Sequence, residues 1–332
     1  MKNQIMKMKL IVAAALILSY SCKTVIQENI WSRSNNQINF IWESVEINGE
    51  LKEKAAMSVP FRIEDIPYNF KCQFDLGSYN SWIYENSFKP IKELYPSYRN
   101  SISNTEDLTE IKLSTTEIGS YKVLNHKYLL YKDFGDKYSI EDFESTDAKN
   151  VCTIGSDIFA EKYLLIDYPN NKLQVHEYLP NIDSNNFVFT PINFDAGFIK
   201  VSLQIDGKLK QFMFDTGSSL FALIVSPEDW KNYKIESSPI DTLTISSWGN
   251  SYDIYGSQIN PTVSINELKL STTGQLVYSN HFYKDFFKSE KIAGLIGNAF
   301  FIDRRVIIDY KNMLLGVERN TSDNIKRAIR HE

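Results

Sequence analysis

The sequence is poor in what several common protein classes require. Its four histidines, His126, His176, His281 and His331, share no spacing that a metal site or a Ser-His hydrolase would use. Its three cysteines include no CxxC pair. Basic residues (36) are outnumbered by acidic ones (41), and the formal charge of −5 is spread with both signs interspersed. No basic stripe exists for nucleic acid. There is no low-complexity tract, and 14 glycines and 10 prolines are an ordinary complement. The apolar run at residues 10–18 is nine residues long, whereas a permanent membrane helix needs about 20. What remains is a globular chain of 332 residues, 43% hydrophobic, able to bury a sizeable core and long enough for two domains.

The N-terminus reads as a targeting segment. Lys2, Lys7 and Lys9 precede the apolar run, and Leu18-Ser19-Tyr20-Ser21-Cys22 follows it. A cysteine directly after the apolar region resembles a bacterial lipoprotein signal, with Cys22 becoming the lipidated N-terminus; an ordinary cleaved leader is the other reading. Both export the protein to the cell envelope, and the first anchors it on a periplasmic or outer-membrane face. Residues 1–22 are thus expected to be leader and lipobox, and the polar residues 23–38 a tether. Export permits a disulfide. Cys72 and Cys152 would meet as a bridge if their segments are neighbouring strands; two buried free thiols are the alternative.

Beyond the tether the chain runs in short alternating or β-branched stretches. Examples are Ile38-Asn39-Phe40-Ile41-Trp42 and Tyr68-Asn69-Phe70-Lys71-Cys72-Gln73-Phe74. Asp206-Gly207 is a hairpin signal between two such runs. Helical stretches are few and short, so the expected class is mainly β.

The chain also repeats itself. Asp215-Thr216-Gly217-Ser218-Ser219 follows Phe212-Met213-Phe214, and Asp75-Leu76-Gly77-Ser78 follows Phe74, 140 residues earlier. A second pair of segments begins at Ile154-Gly155 and Ile296-Gly297; Gly, Phe, Ile, Asp, Tyr, Asn, Leu and Val coincide through Val175 and Val317. The distances from aspartate to glycine agree, 80 residues in one copy and 82 in the other. Shared motifs at shared spacing imply a tandem duplication, with units at residues 39–180 and 187–320 and a tail at 321–332. Asp167 and Asp309 recur too, but each precedes a Tyr-x-Asn turn and reads as a hairpin residue.

Together these motifs resemble the pepsin-type and retropepsin-type aspartic peptidases. Asp75-Leu76-Gly77-Ser78-Tyr79-Asn80-Ser81-Trp82-Ile83 is similar to the pepsin first-lobe pattern D-T-G-S-x-N-x-W-V, apart from Leu76. Asp215-Thr216-Gly217-Ser218-Ser219-Leu220 is similar to the second-lobe pattern, and the segments ending at Gly155 and Gly297 resemble the hydrophobic-hydrophobic-Gly motif. The resemblance implies a two-lobed fold, each lobe a small closed β-barrel, with an interlobe cleft. It also implies an endopeptidase acting on peptide or protein substrates, with no metal or cofactor. With both halves in one chain, a monomer is expected.

Two carboxylates a few ångström apart cannot both ionise, so they share a proton. Asp75 and Asp215 are therefore the expected catalytic pair: one activates a water and the other hydrogen-bonds the scissile carbonyl. Gly77 and Gly217 allow close approach of the two loops, and Ser78 and Ser218 are expected to hydrogen-bond the carboxylates. In that family the motif threonine reaches across to the opposite loop, which Thr216 can do and Leu76 cannot. Residues 98–125 hold no Tyr-Gly flap pair, whereas Trp248-Gly249-Asn250 with Tyr252 resembles a flap tip. A catalytically silent peptide-binding module using the same cleft is the rival reading.

Overall fold

Short runs rich in β-branched and aromatic residues, some alternating and some apolar throughout, form strands along the chain. The computed structural model describes residues 36–47, 49–104, 108–195, 197–247 and 249–320, and over these the chain is mainly β. The leader, Cys22, the tether up to residue 35, Trp248 and the tail at 321–332 lie outside the described residues. Among the described residues no helix is long and apolar enough to cross a membrane.

Strands of the first half form an eight-stranded sheet. Its order is Ile41–Ile47, Glu50–Ile63, Phe70–Phe74, Lys149–Ile154, Trp82–Tyr84, Tyr121–Tyr131, Thr109–Ile118 and Ile102–Asn104. Glu50–Ile63 also pairs with Thr109–Ile118, Phe61 opposite Ile118, so six of the strands pair in a ring. In the second half Phe198–Ile205, Lys208–Phe214, Gly294–Ile296, Leu223–Val225, Leu276–Ser279, Asn250–Gln258 and Asp241–Ser247 follow one another in a larger sheet. Among the described residues that order ends open at Asp241–Ser247.

The two halves share one local plan. Phe70–Phe74 lies parallel to Lys149–Ile154, and Lys208–Phe214 lies parallel to Gly294–Ile296. Each glycine-ending strand is flanked antiparallel on its other side, by Trp82–Tyr84 and by Leu223–Val225. After these come the helices Glu85–Leu94 and Pro227–Tyr233, the second started by Ser226, whose hydroxyl accepts from the Asp229 amide.

The halves meet edge to edge. Tyr163–Asp167 pairs antiparallel with Arg305–Asp309, with Leu165 opposite Ile307 at the centre. Tyr163 faces Asp309 and Asp167 faces Arg305, so positions equivalent in the sequence repeat exchange across this pairing. Outward lie Lys172–His176 and Leu314–Glu318, then Gln37–Asn39 and Phe187–Asp195. That order is what a local two-fold axis would generate.

One boundary shifts. Gln37–Asn39 is a paired strand that begins inside the segment expected to be tether and runs into the first unit, and Ile38 is fully buried. Ile38 already opens the alternating run Ile38-Asn39-Phe40-Ile41-Trp42, and the strand begins one residue earlier, at polar Gln37. Cys72 and Cys152 are direct partners on the parallel pair and are joined as a disulfide, Cα atoms 4.6 Å apart, so the bridge forms.

Candidate active site

The apolar strand ends deliver both aspartates to the same place. In Phe70–Phe74, residues 70, 72 and 74 point into the core, which anchors the strand up to the turn at Asp75. Phe212 and Phe214 do the same before Asp215. The Asp75 amide donates to the Ile154 carbonyl, and the Asp215 amide to that of Ile296, each over 3.0 Å. Each turn then closes alike, with the Ser78 amide on the Asp75 carbonyl and the Ser218 amide on that of Asp215, both 3.2 Å. Gly155 and Gly297 let the chain pass against these loops: a side chain on Gly155 would strike the Asn80 carbonyl, and one on Gly297 the Ser218 and Phe221 carbonyls.

The glycines of the two motifs show how close the carboxylates are. A methyl on Gly77 would stand 2.6 Å from Asp215 Cγ and 3.0 Å from Asp75 Oδ1; one on Gly217 would stand 2.7 Å from Asp75 Cγ. Each glycine therefore packs on the opposite aspartate, and only a residue without Cβ fits. Gly77 donates to Asp75 Oδ1 and Gly217 to Asp215 Oδ1, both over 2.9 Å.

Thr216 ties the two loops together. Its hydroxyl accepts from the Leu76 amide at 2.8 Å and donates to the Phe74 carbonyl at 3.2 Å, and the residue is fully buried. Leu76 is equally buried and packs in the main apolar cluster beside Phe74. The bridge across the halves is thus built from one side only. Asn298 reinforces it, its amide nitrogen donating to the Thr216 carbonyl and to Ser219 Oγ, both at 2.8 Å. Tyr168 of the first half donates to Asn298 Oδ1 at 2.6 Å.

The two serines differ, contrary to expectation. Ser218 Oγ donates to Asp215 Oδ2 at 2.7 Å. Ser78 Oγ instead donates to the Asn80 carbonyl at 2.8 Å and accepts from the Trp82 indole at 3.2 Å. The cause is local: the repeat places Ala222 where the first half has Trp82, and alanine offers no N–H to draw Ser218 away.

A cavity of about 540 Å³ opens above the pair, lined by Asp75, Asp215, Gly217 and Ser218. Two hairpins reach it. Ile41–Ile47 with Glu50–Ile63 contributes Val45 and Ile47, and Asp241–Ser247 with Asn250–Gln258 contributes Thr244 and Ile245. The flap-like tip was expected only from the second of these. Gly249 lies there with a positive φ of 79°, and a Cβ on it would meet the Phe134 ring of the first half at 3.6 Å. Trp248, expected beside it, lies outside the described residues. Tyr252 is not in the lining: it packs on Phe282, ring centroids 4.2 Å apart, and on Tyr283, which does line the cavity. The first hairpin escaped the sequence reading because it precedes Asp75, whereas the flap was sought after it.

Tyr84, Thr153 and Phe134 were also missed. Tyr84 and Thr153 hydrogen-bond each other inside the cavity wall. Their repeat counterparts are Ile224 and Leu295, so a polar pair against an apolar pair was the available signal.

Burial raises the Asp75 pKa well above the usual carboxylate range, and the adjacent Asp215 raises it further. The Gly77 and Ser78 amides pull the other way without offsetting this. Burial also pushes up the Tyr84 hydroxyl, with the charge of Asp75 adding to the shift. The arrangement can therefore hold one proton between two carboxylates at a pH where isolated carboxyl groups have lost theirs. No family model matches the sequence, and no curated protein matches it.

Proposed function

We propose that the chain is an aspartic endopeptidase with a two-lobed, pepsin-like fold, its halves arising from a tandem duplication. The observation that carries this reading is the mutual packing of Gly77 on Asp215 and Gly217 on Asp75, which brings two carboxylates together on the cavity floor. The doubled strand plan and the ring of pairings in the first half support a barrel-like lobe.

In the proposed reaction Asp215 takes a proton from water as the water oxygen attacks the peptide carbonyl carbon. Asp75, kept protonated by burial and by its neighbour, donates to the carbonyl oxygen. Collapse of the resulting diol breaks the C–N bond, a proton passes to the leaving nitrogen, and the pair again holds one proton. The residues supply every proton movement without a cofactor. The chain would act as a monomer on extended peptide segments in the cell envelope, anchored through lipidated Cys22.

Cleavage of an unfolded protein, measured between about pH 3 and 7, tests the reaction. The expected result is activity on the acidic side that is lost in both Asp75→Asn and Asp215→Asn. Leu76, which leaves the bridge one-sided, favours the rival peptide-binding module; binding without cleavage at any pH would establish that instead. Transfer of Cys22→Ser from the membrane to the soluble fraction would test the anchor.

A further inference from the structure

The strands beside the two aspartates correspond in the sequence repeat, yet three corresponding positions on them differ in chemistry. On the second side Met213, Ile224 and Leu295 form part of one apolar cluster. Their first-half counterparts are Gln73, Tyr84 and Thr153, all polar, and all three line the cavity. Duplication alone would give two similar walls, so the difference is a property of this chain.

The polar side also continues. Along the strand Phe70–Phe74, Lys71 and Gln73 share the face that leads to Asp75, with steps of about 7 Å for each pair of residues. Gln73 lines both the catalytic cavity and a second, polar chamber of about 470 Å³. In that chamber Lys71 is paired with Glu43 at 2.6 Å, and the charges of Asp136 and Lys149 are also opposite in sign. Burial raises the pKa of Glu43, but hydrogen bonds from Lys71 and Ser58 outweigh it and leave the pKa lowered. The four charges cancel, so the chamber favours neither an anion nor a cation. Its neutral polar lining residues are Ser58, Gln73, Tyr138 and Asn150, so it suits an uncharged side chain that hydrogen-bonds.

Resting on the reading that the cleft holds an extended peptide, we infer that it binds that peptide in one direction. A large apolar side chain sits on the Ile224–Leu295 side of the aspartates. A neutral hydrogen-bonding side chain (Asn, Gln, Ser or Thr) sits in the chamber on the Gln73 side. Gln73 and Asn150 determine this second preference.

The test uses the full chain and a peptide library randomised on both sides of a common centre. Cleaved products are sequenced for the wild type, and retained peptides are sequenced for Asp215→Asn. The expected result is enrichment of amide and hydroxyl side chains at one position on one side only, and of large apolar ones on the other. Loss of one hydrogen bond in Asn150→Leu should reduce the polar enrichment about tenfold. Gln73→Met, which copies the second half, should do the same; thermal melting confirms that each variant is folded. Identical preferences on both sides, enrichment unchanged in both variants, or no retained peptide would overturn the inference. Patterned retention without any cleavage would instead overturn the endopeptidase reading and leave this one standing.

Discussion

Replacing Thr216 by valine should show how much the one-sided bridge contributes. Valine keeps the shape of threonine and removes only the hydroxyl, which joins the Leu76 amide at 2.8 Å and the Phe74 carbonyl at 3.2 Å. Both backbone groups belong to a loop that Leu76 and Phe74 seal from water. A buried polar group left without a partner costs about 1–3 kcal/mol. The longer bond is the weaker of the two, so the pair should amount to roughly 3 kcal/mol rather than the maximum. The midpoint of urea unfolding should fall without a change in slope, and Tm should drop by roughly 5–10 °C. Thr216→Ser is the control, because it keeps the hydroxyl and loses one buried methyl, at a cost of about 1 kcal/mol. If serine is as damaging as valine, packing and not hydrogen bonding holds the loops, and the reasoning fails.

Four further outcomes are expected. Asp75 has a raised pKa in the folded state, so its contribution to stability is complete below the unfolded value near 4 and is lost as pH rises through the folded one. Asp75→Asn should therefore gain on the wild type in urea titrations as pH rises from about 4 to 8, and parallel curves would refute the assignment. Gly217→Ala places a methyl 2.7 Å from Asp75 Cγ and should lower cleavage by at least about a hundredfold, judged by kcat, because misplaced groups lose that much; wild-type kcat would show the loops to be looser than described. Replacing both Cys72 and Cys152 by alanine opens a loop of 80 residues and should cost about 2–4 kcal/mol in non-reducing urea titrations. Ser218→Ala removes the hydroxyl donor on Asp215 and should lower kcat, whereas Ser78→Ala, which removes no contact to a carboxylate, should leave it near the wild-type value; equal losses would contradict the geometry.

The sequence repeat and the meeting of Asp75 with Asp215 were legible because they rest on residues with few substitutes. Glycine must stand where a Cβ would strike the opposite carboxylate, and Ile-Gly must close each strand, so these residues recur at fixed spacing. Ile38 was visible as the first residue of an alternating run, but polar Gln37 before it carried no sign that the strand begins there. The hairpin carrying Val45 and Ile47 was not legible as part of the site, since its alternation marks a strand without saying over which cavity its tip hangs. The orientation of Ser78 was hidden for another reason. It depends on competition between a carboxylate and the Trp82 indole for one hydroxyl, and motif spacing carries no information on which wins.

The departures from symmetry fall mainly on the half that carries Asp75, and they act in one direction. Asp215 Oδ1 accepts from the Gly217 amide and Oδ2 from the Ser218 hydroxyl, so both oxygens of that carboxylate are served as an anion would need. The Ser78 hydroxyl has turned away from Asp75, and the wall nearby is closed by the buried Tyr84–Thr153 pair. A symmetric pair of carboxylates has no preferred site for its shared proton. Loss of a hydroxyl donor on one side and burial on that same side favour the proton on Asp75. Leu76 belongs to the same pattern, filling with carbon the place where a second hydroxyl would have made the loops alike. In the proposed reaction the divergence of the first motif would separate the acid from the base, while Thr216 remains the one motif side chain whose hydroxyl joins the two loops.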